Sequence, residues 1–249
     1  MAPTPDRPAP FPFAPVLHSE WLKIRTLRSL LGALLALFGV SVAFSALAGA
    51  TSEADTDPLF TALSGATVGQ IAAVTFGATA VSGEFHGGAL RLSLAAVPRR
   101  GHWFAAKATA IAVPALAVGL VTALAALLAA RAGLGEAAGA LTAGEQVRAV
   151  VGCGLYLTLM ALFAAGLAAL LRSGVGALSV LIPFVLVVSF VIGDAAGTAV
   201  DFLPDRAGQI ALHGTYDGPL GPWSGLAVTA LWTAAALLAG AWSIRRRDA

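Results

Sequence analysis

The sequence predicts an all-α, polytopic membrane protein with six transmembrane helices. Three observations carry this expectation. The first is composition: 58% of the 249 residues are hydrophobic and 11% are charged, so a water-soluble fold would leave large apolar patches exposed. The second is run length. A spanning helix needs about 20 mostly apolar residues at ~1.5 Å rise each, and six runs meet that need: Leu30 to Ala50, Ala62 to Val81, Phe104 to Ala130, Ala149 to Leu171, Val175 to Gly193 and Gly225 to Ser243. Their interiors hold no Asp, Glu, Arg or His. The third is the placement of charge. With the N-terminus inside, Arg7, Lys23, Arg25, Arg28, Arg91, Arg99, Arg100, Lys107, Arg172, Arg245, Arg246 and Arg247 fall on inner segments, against Arg131, Arg148 and Arg206 outside. Lys and Arg are retained on the cytoplasmic side, so both termini are expected in the cytoplasm.

The elements follow in chain order. Residues 1–16, rich in Pro and Ala, read as a disordered tail. Leu17, Trp21, Ile24, Leu27 and Leu31 then recur at helical spacing, with His18, Ser19, Lys23 and Thr26 turned away, which predicts an interfacial helix over residues 17–29 before the first span. Ala46-Leu47-Ala48 has the form of a signal cleavage site, but the preceding basic region is long and contains Asp6 and Glu20, which favours a retained span. Gly65, Gly69, Ala73 and Gly77 form a small-residue stripe on the second span, suited to close helix packing within the chain or across a dimer. Gln70 and Thr75 are polar at mid-depth and favour a partner or a lined cavity. Residues 83–103 form an inner, basic loop, and Lys107 at the inner end of the third span can snorkel to the interface. Pro114 and Pro183 remove backbone donors inside spans three and five and bend them. Cys153 is the only cysteine and reads as a small buried hydrophobe. The outer loop, residues 194–223, is rich in Gly and Pro but carries apolar stretches at 200–203 and 209–212. Trp223 and Trp242 bracket the last span, ~28 Å apart at ~1.5 Å per residue, matching the two interfacial belts.

The missing chemistry narrows the function. No span carries a carboxylate, so the midplane site of an ion-coupled transporter is not expected. There is no G-x-x-x-x-G-K-[ST] loop, so any ATP is used by another subunit. The aspartates Asp194 and Asp217 lie toward the outer surface in the wrong order for a protease pair. His86, His102 and Glu84 lack the spacing of a metal site, and no nucleophile motif surrounds Ser224. No catalytic residue, metal, cofactor or nucleic-acid partner is expected, and the sequence reads as a non-enzyme.

Ser19-Glu20-Trp21-Leu22-Lys23-Ile24-Arg25, Gly83-Glu84-Phe85-His86-Gly87-Gly88-Ala89-Leu90-Arg91, Pro98-Arg99-Arg100 and Lys107 occur in this order around the first two spans. In this pattern the chain resembles the membrane subunit of type-2 ATP-binding-cassette (ABC) exporters. Gly88-Ala89 stands where many relatives have Gly-Thr. The resemblance implies a permease domain over residues 17–249, working as half of a substrate pathway with a second copy or a related permease. A separate cytoplasmic ATP-binding subunit would drive it, in the inner membrane of a bacterium. It further implies a coupling helix: Gly87 and Gly88 break the preceding helix, Ala89 to Ala96 form about two turns, and Pro98 ends them. Leu90, Leu94 and Val97 would offer the ATPase an apolar face and Arg91, Arg99 and Arg100 its charge, while Glu84 pairs with Arg91 or Arg25. Relatives place short re-entrant helices in the outer loop. A non-transporting sensor or assembly factor, and then an intramembrane enzyme, are the alternatives at this stage.

Overall fold

The computed structural model describes residues 13–52, 56–85, 89–97, 99–134, 141–188 and 197–246. Ten helices are described: α1 (Phe13–Thr26), α2 (Arg28–Thr51), α3 (Pro58–Leu63), α4 (Gly65–Ser82), α5 (Ala89–Ala96), α6 (Arg100–Leu134), α7 (Ala143–Leu171), α8 (Gly174–Pro183), α9 (Pro204–Gln209) and α10 (Pro222–Arg246). No strand occurs among the described residues. Among the described residues, five helical stretches are long and apolar enough to cross a membrane: α2, α3 with α4 through Phe85, α6, α7 and α10.

The expected fifth span differs from the other five. Regular α-helix ends at Pro183, and a π turn carries the chain from Phe184 to Val188; the described part of this apolar helix is shorter than a crossing. Proline supplies no backbone donor, so the ladder around it must rearrange. Residues 189–193 of that expected span lie outside the described set. Pro114 has a different outcome, because α6 continues as one helix through it. The other spans extend beyond their apolar runs, α6 by four residues at each end of the expected Phe104–Ala130 segment.

α7 is the centre of the bundle, with 67% of its apolar window buried. It packs on α4, α6 and α10, while α2 covers α4 and α6 from the other side. The long helices meet through small residues. A β-carbon on Gly77 would overlap the backbone carbonyl of Ala161 in α7, and one on Gly65 the carbonyl of Ser41 in α2. Gly69 faces the Ser41 hydroxyl, and Ala73 is 1% exposed. The stripe is thus consumed by helix packing within the chain, against two different neighbours, and is not an exposed dimer face. Between helices in lipid, where apolar burial gives little drive, such close backbone contact supplies dispersion instead.

At the end of the bundle remote from α1, the segment 197–212 forms short helical turns over α7 and α10. Ala207, Ile210, Ala211 and Leu212 are buried there. Asp57 ties this segment to the start of α3. One carboxylate oxygen accepts from the Leu59 and Phe60 amides at 2.9 and 3.2 Å and the other from the Gly214 amide at 2.9 Å. His213 stacks on Phe60 with ring centroids 4.1 Å apart. Cys153 is buried, as a packed apolar residue would be.

The packing of the stripe makes Gly77→Leu disruptive. Its unfolding midpoint in detergent should fall by the equivalent of about 1–3 kcal/mol, the usual cost of overpacking, whereas Gly39→Leu, with nothing within 4 Å of its β-carbon, should leave the midpoint in place. Equal midpoints for the two variants would contradict this packing.

Candidate functional site

α1 lies across the end of the bundle that carries α5 and the first turns of α6. Its buried residues are Val16, Glu20 and Ile24, so the inward face is displaced from the expected Leu17–Trp21–Ile24–Leu27 stripe. Residues 13–16 are already helical, and extended backbone at Leu27 separates α1 from α2. Residues 1–12 of the expected tail lie outside the described set.

The displaced register puts a carboxylate inside. Glu20 is 2% exposed, and it meets Glu84 from the turn Gly83–Phe85 (5%) and Lys107 from α6 (3%). Lys107 Nζ lies 2.7 Å from Glu84 Oε1 and also pairs with Glu20. Lys23, partly exposed, closes the ring: its Nζ is 2.9 Å from Glu20 Oε1 and 2.7 Å from Glu84 Oε1. The two cations and two anions balance. Desolvation pulls the Lys23 amine down, but the hydrogen bonds and charges of Glu84 and Glu20 outweigh it and hold the amine above its ordinary value. The Lys107 ammonium also lies 5.7 Å from the centroid of a Trp103 ring, in cation–π range.

The second oxygen of Glu84 continues the network into α5, accepting from Ser93 Oγ at 3.0 Å. Three separate pieces of chain, α1, the 83–85 turn with α5, and α6, are therefore pinned at one buried point. Arg100 adds a second tie, donating from Nη1 to the carbonyl oxygens of Ile244 at 2.8 Å and Arg245 at 3.3 Å, at the last turn of α10. A cation there also suits the negative end of the helix dipole.

Several expectations change. Glu84 pairs with Lys23 and Lys107 and not with Arg25, because it is turned into the bundle where those two amines converge; the side chain of Arg91, the other expected partner, lies outside the described residues. Lys107 points inward to two carboxylates instead of snorkelling, and Lys23 does not turn away. Leu90 belongs to the core at 5% exposure and Val97 packs against it, so neither presents a free docking surface. On α5 it is Leu92, 74% exposed, that projects outward. Arg99 is exposed and Arg100 is committed to α10. Arg91 and Leu94 lie on α5 with side chains outside the described set, as do residues 86–88 and Pro98. The role of Glu20 was missed because it flanks the apolar stripe; its position one turn before Ile24, with Lys23 three residues on, was the available signal.

No protein-family model matches this chain, and no curated protein matches it significantly. Among the described residues, no group of three or more His, Cys, Asp or Glu could hold a metal ion.

The cluster is expected to behave as a unit. Lys107→Met leaves two buried carboxylates to share the single, partly exposed Lys23 ammonium and should destabilise the protein by about 3 kcal/mol, while Glu84→Gln combined with Lys107→Met should recover part of that loss. Unfolding titrations in mixed detergent measure both; strictly additive losses would refute direct pairing.

Proposed function

We propose that this chain is the membrane-spanning permease subunit of a type-2 ABC exporter. It forms half of a substrate pathway, a second copy or a related permease forms the other half, and a separate cytoplasmic ATP-binding subunit supplies the energy. The observation that carries this reading is the convergence of Glu20, Lys23, Glu84 and Lys107. These are the residues of the exporter-like motifs, separated by up to 87 positions, and they meet where a short amphipathic helix leaves the bundle.

On this reading α5 is the coupling helix. A partner pressing on Leu92 moves a helix that is fastened through Ser93 and Glu84 to both α1 and α6, so the displacement reaches the spans without bending a loose loop. The Lys and Arg bias puts this end of the bundle in the cytoplasm. The segment 175–193 serves as the fifth of six spans, which leaves both termini in the cytoplasm, in the inner membrane of a bacterium.

Two measurements test the proposal. Leu92→Asp should reduce the amount of ATP-binding subunit that co-purifies with the permease by about tenfold, since a charge in an apolar contact of few anchoring residues costs over ~1.4 kcal/mol; undiminished co-purification would remove α5 as the docking element. With Cys153 replaced by Ala, a cysteine appended after Ala249 should react only with reagents admitted to the cytoplasm. Labelling from outside would mean five crossings and would sink the six-span arrangement.

A further inference from the structure

The outer side of α6 forms one wall of a long groove. Thr109, Val113, Ala117 and Val121 succeed one another every four residues and so share a side of the helix for ~18 Å. Two clefts open along them. The first, of about 400 Å³, lies between α1 and α6, with His18, Trp21, Thr109 and Val113 among its walls. The second, of about 470 Å³, lies between α2 and α6 and has only apolar walls, Leu31, Leu35, Phe38 and Val121 among them. Val113 and Val121 are 51% and 58% exposed, so the groove is open along its length to whatever surrounds the bundle.

One end of the groove is cationic. Gly49 of α2 rests against the Ala130 backbone of α6, and both helices start at the α1 end of the bundle. Counted back 21 residues along each, Arg28 comes level with Thr109. Arg28 also stands one turn before Leu31 and two before Leu35 on the same side of α2, and Arg25 stands one turn beyond Trp21 and two beyond His18 on the same side of α1. His18, Arg25 and Arg28 are all exposed. None of the three pairs with a carboxylate among the described residues, where the acids of this end, Glu20 and Glu84, are matched by Lys23 and Lys107. Beyond Val113 the walls turn wholly apolar. The ~18 Å from Thr109 to Val121 is close to half of the ~30 Å hydrocarbon core, the depth of one leaflet.

We propose that this groove binds an anionic phospholipid from the leaflet on the α1 side: one acyl chain fills the two clefts, and Arg25 and Arg28, with His18 beside them, hold the phosphate. The grading from cations to apolar walls runs along the bundle, in the direction in which a lipid lies. Guanidinium groups match phosphate with paired hydrogen bonds, and cations flanking a span attract anionic heads. A zwitterionic head brings an amine that meets no free carboxylate here, and a free phosphate has no chain for the clefts. The bound lipid joins α1, α2 and α6 from outside the bundle, on the helix that the ionic cluster already fastens from within. The site needs only a bilayer around the bundle and stands whether or not an ATPase drives the chain.

The test titrates the full chain, purified in a maltoside detergent, with phosphatidylglycerol, phosphatidylcholine of the same chains, and glycerophosphoglycerol, the head without chains; native mass spectrometry counts what is bound. Phosphatidylglycerol should bind about tenfold tighter than phosphatidylcholine, and the bare head should not bind at the same concentrations. Arg25→Gln with Arg28→Gln should erase the preference between the two lipids. Val121→Trp, an exposed position whose enlargement fills the second cleft, should weaken both lipids by about tenfold. Because a variant can lose its fold, phosphatidylglycerol carrying a photoreactive acyl chain is also applied to the unaltered chain and should cross-link within residues 31–38 or 109–121. Equal affinity for the two lipids, as for an unselective lipid coat, or tight binding of the bare head would overturn the proposal. So would cross-links confined to other segments, the result expected if a second copy of the chain covered the groove.

Discussion

The architecture at one end of this molecule depends on pairing charges that have left water. Two carboxylates and an ammonium, each at most 5% exposed, are held among apolar side chains, where an unpaired member would cost several kcal/mol. That constraint sets the rotation of α1. To bring Glu20 against Lys107, the helix presents Val16, Glu20 and Ile24 to the bundle and leaves Leu22 exposed. It also sets the position of α5, whose Ser93 is fastened to the same glutamate. A hydrophobic substitute for the cluster could be as stable, but it would not fix which three segments meet.

The remainder of the bundle rests on a different interaction. Helices α2, α6, α7 and α10 present exposed leucines and valines outward, Leu35, Leu231 and Leu238 among them at 71% each, and the close contacts between helices use Gly, Ala and Ser. That division suits a bilayer, where apolar side chains need no burial and contact between helices depends on close approach. It also explains why Gly65, Gly69 and Gly77 sit on one span yet serve two partners: the stripe faces the groove between α2 and α7.

Polar groups at depth are handled by a third device. Gln70, Tyr156 and Gln209 satisfy one another across α4, α7 and α9, so the interior amide expected to favour a partner finds one within the chain. Thr75 finds its own, donating to the Ile71 carbonyl at 2.7 Å, a local bond that needs no other helix.

Sequence by itself determined the helical class, the five long spans and the short helix over Ala89–Ala96, because apolar run length and a following proline act locally. It also held every member of the ionic cluster in recognisable motifs. Tertiary structure alone decided that Glu84 pairs with Lys23 and Lys107, that Leu90 is inside while Leu92 is outside, and that the glycine stripe is spent within the chain. These outcomes depend on the rotation of one helix against another, and side chains some twenty to ninety residues apart set that rotation together. The change from α-helix to π turn at Phe184–Val188 belongs to the same kind of decision. Hydropathy counts apolar residues, but whether a helix runs unchanged through a proline, as α6 does at Pro114, or passes into a π turn, as after Pro183, depends on how neighbours take up the freed backbone groups.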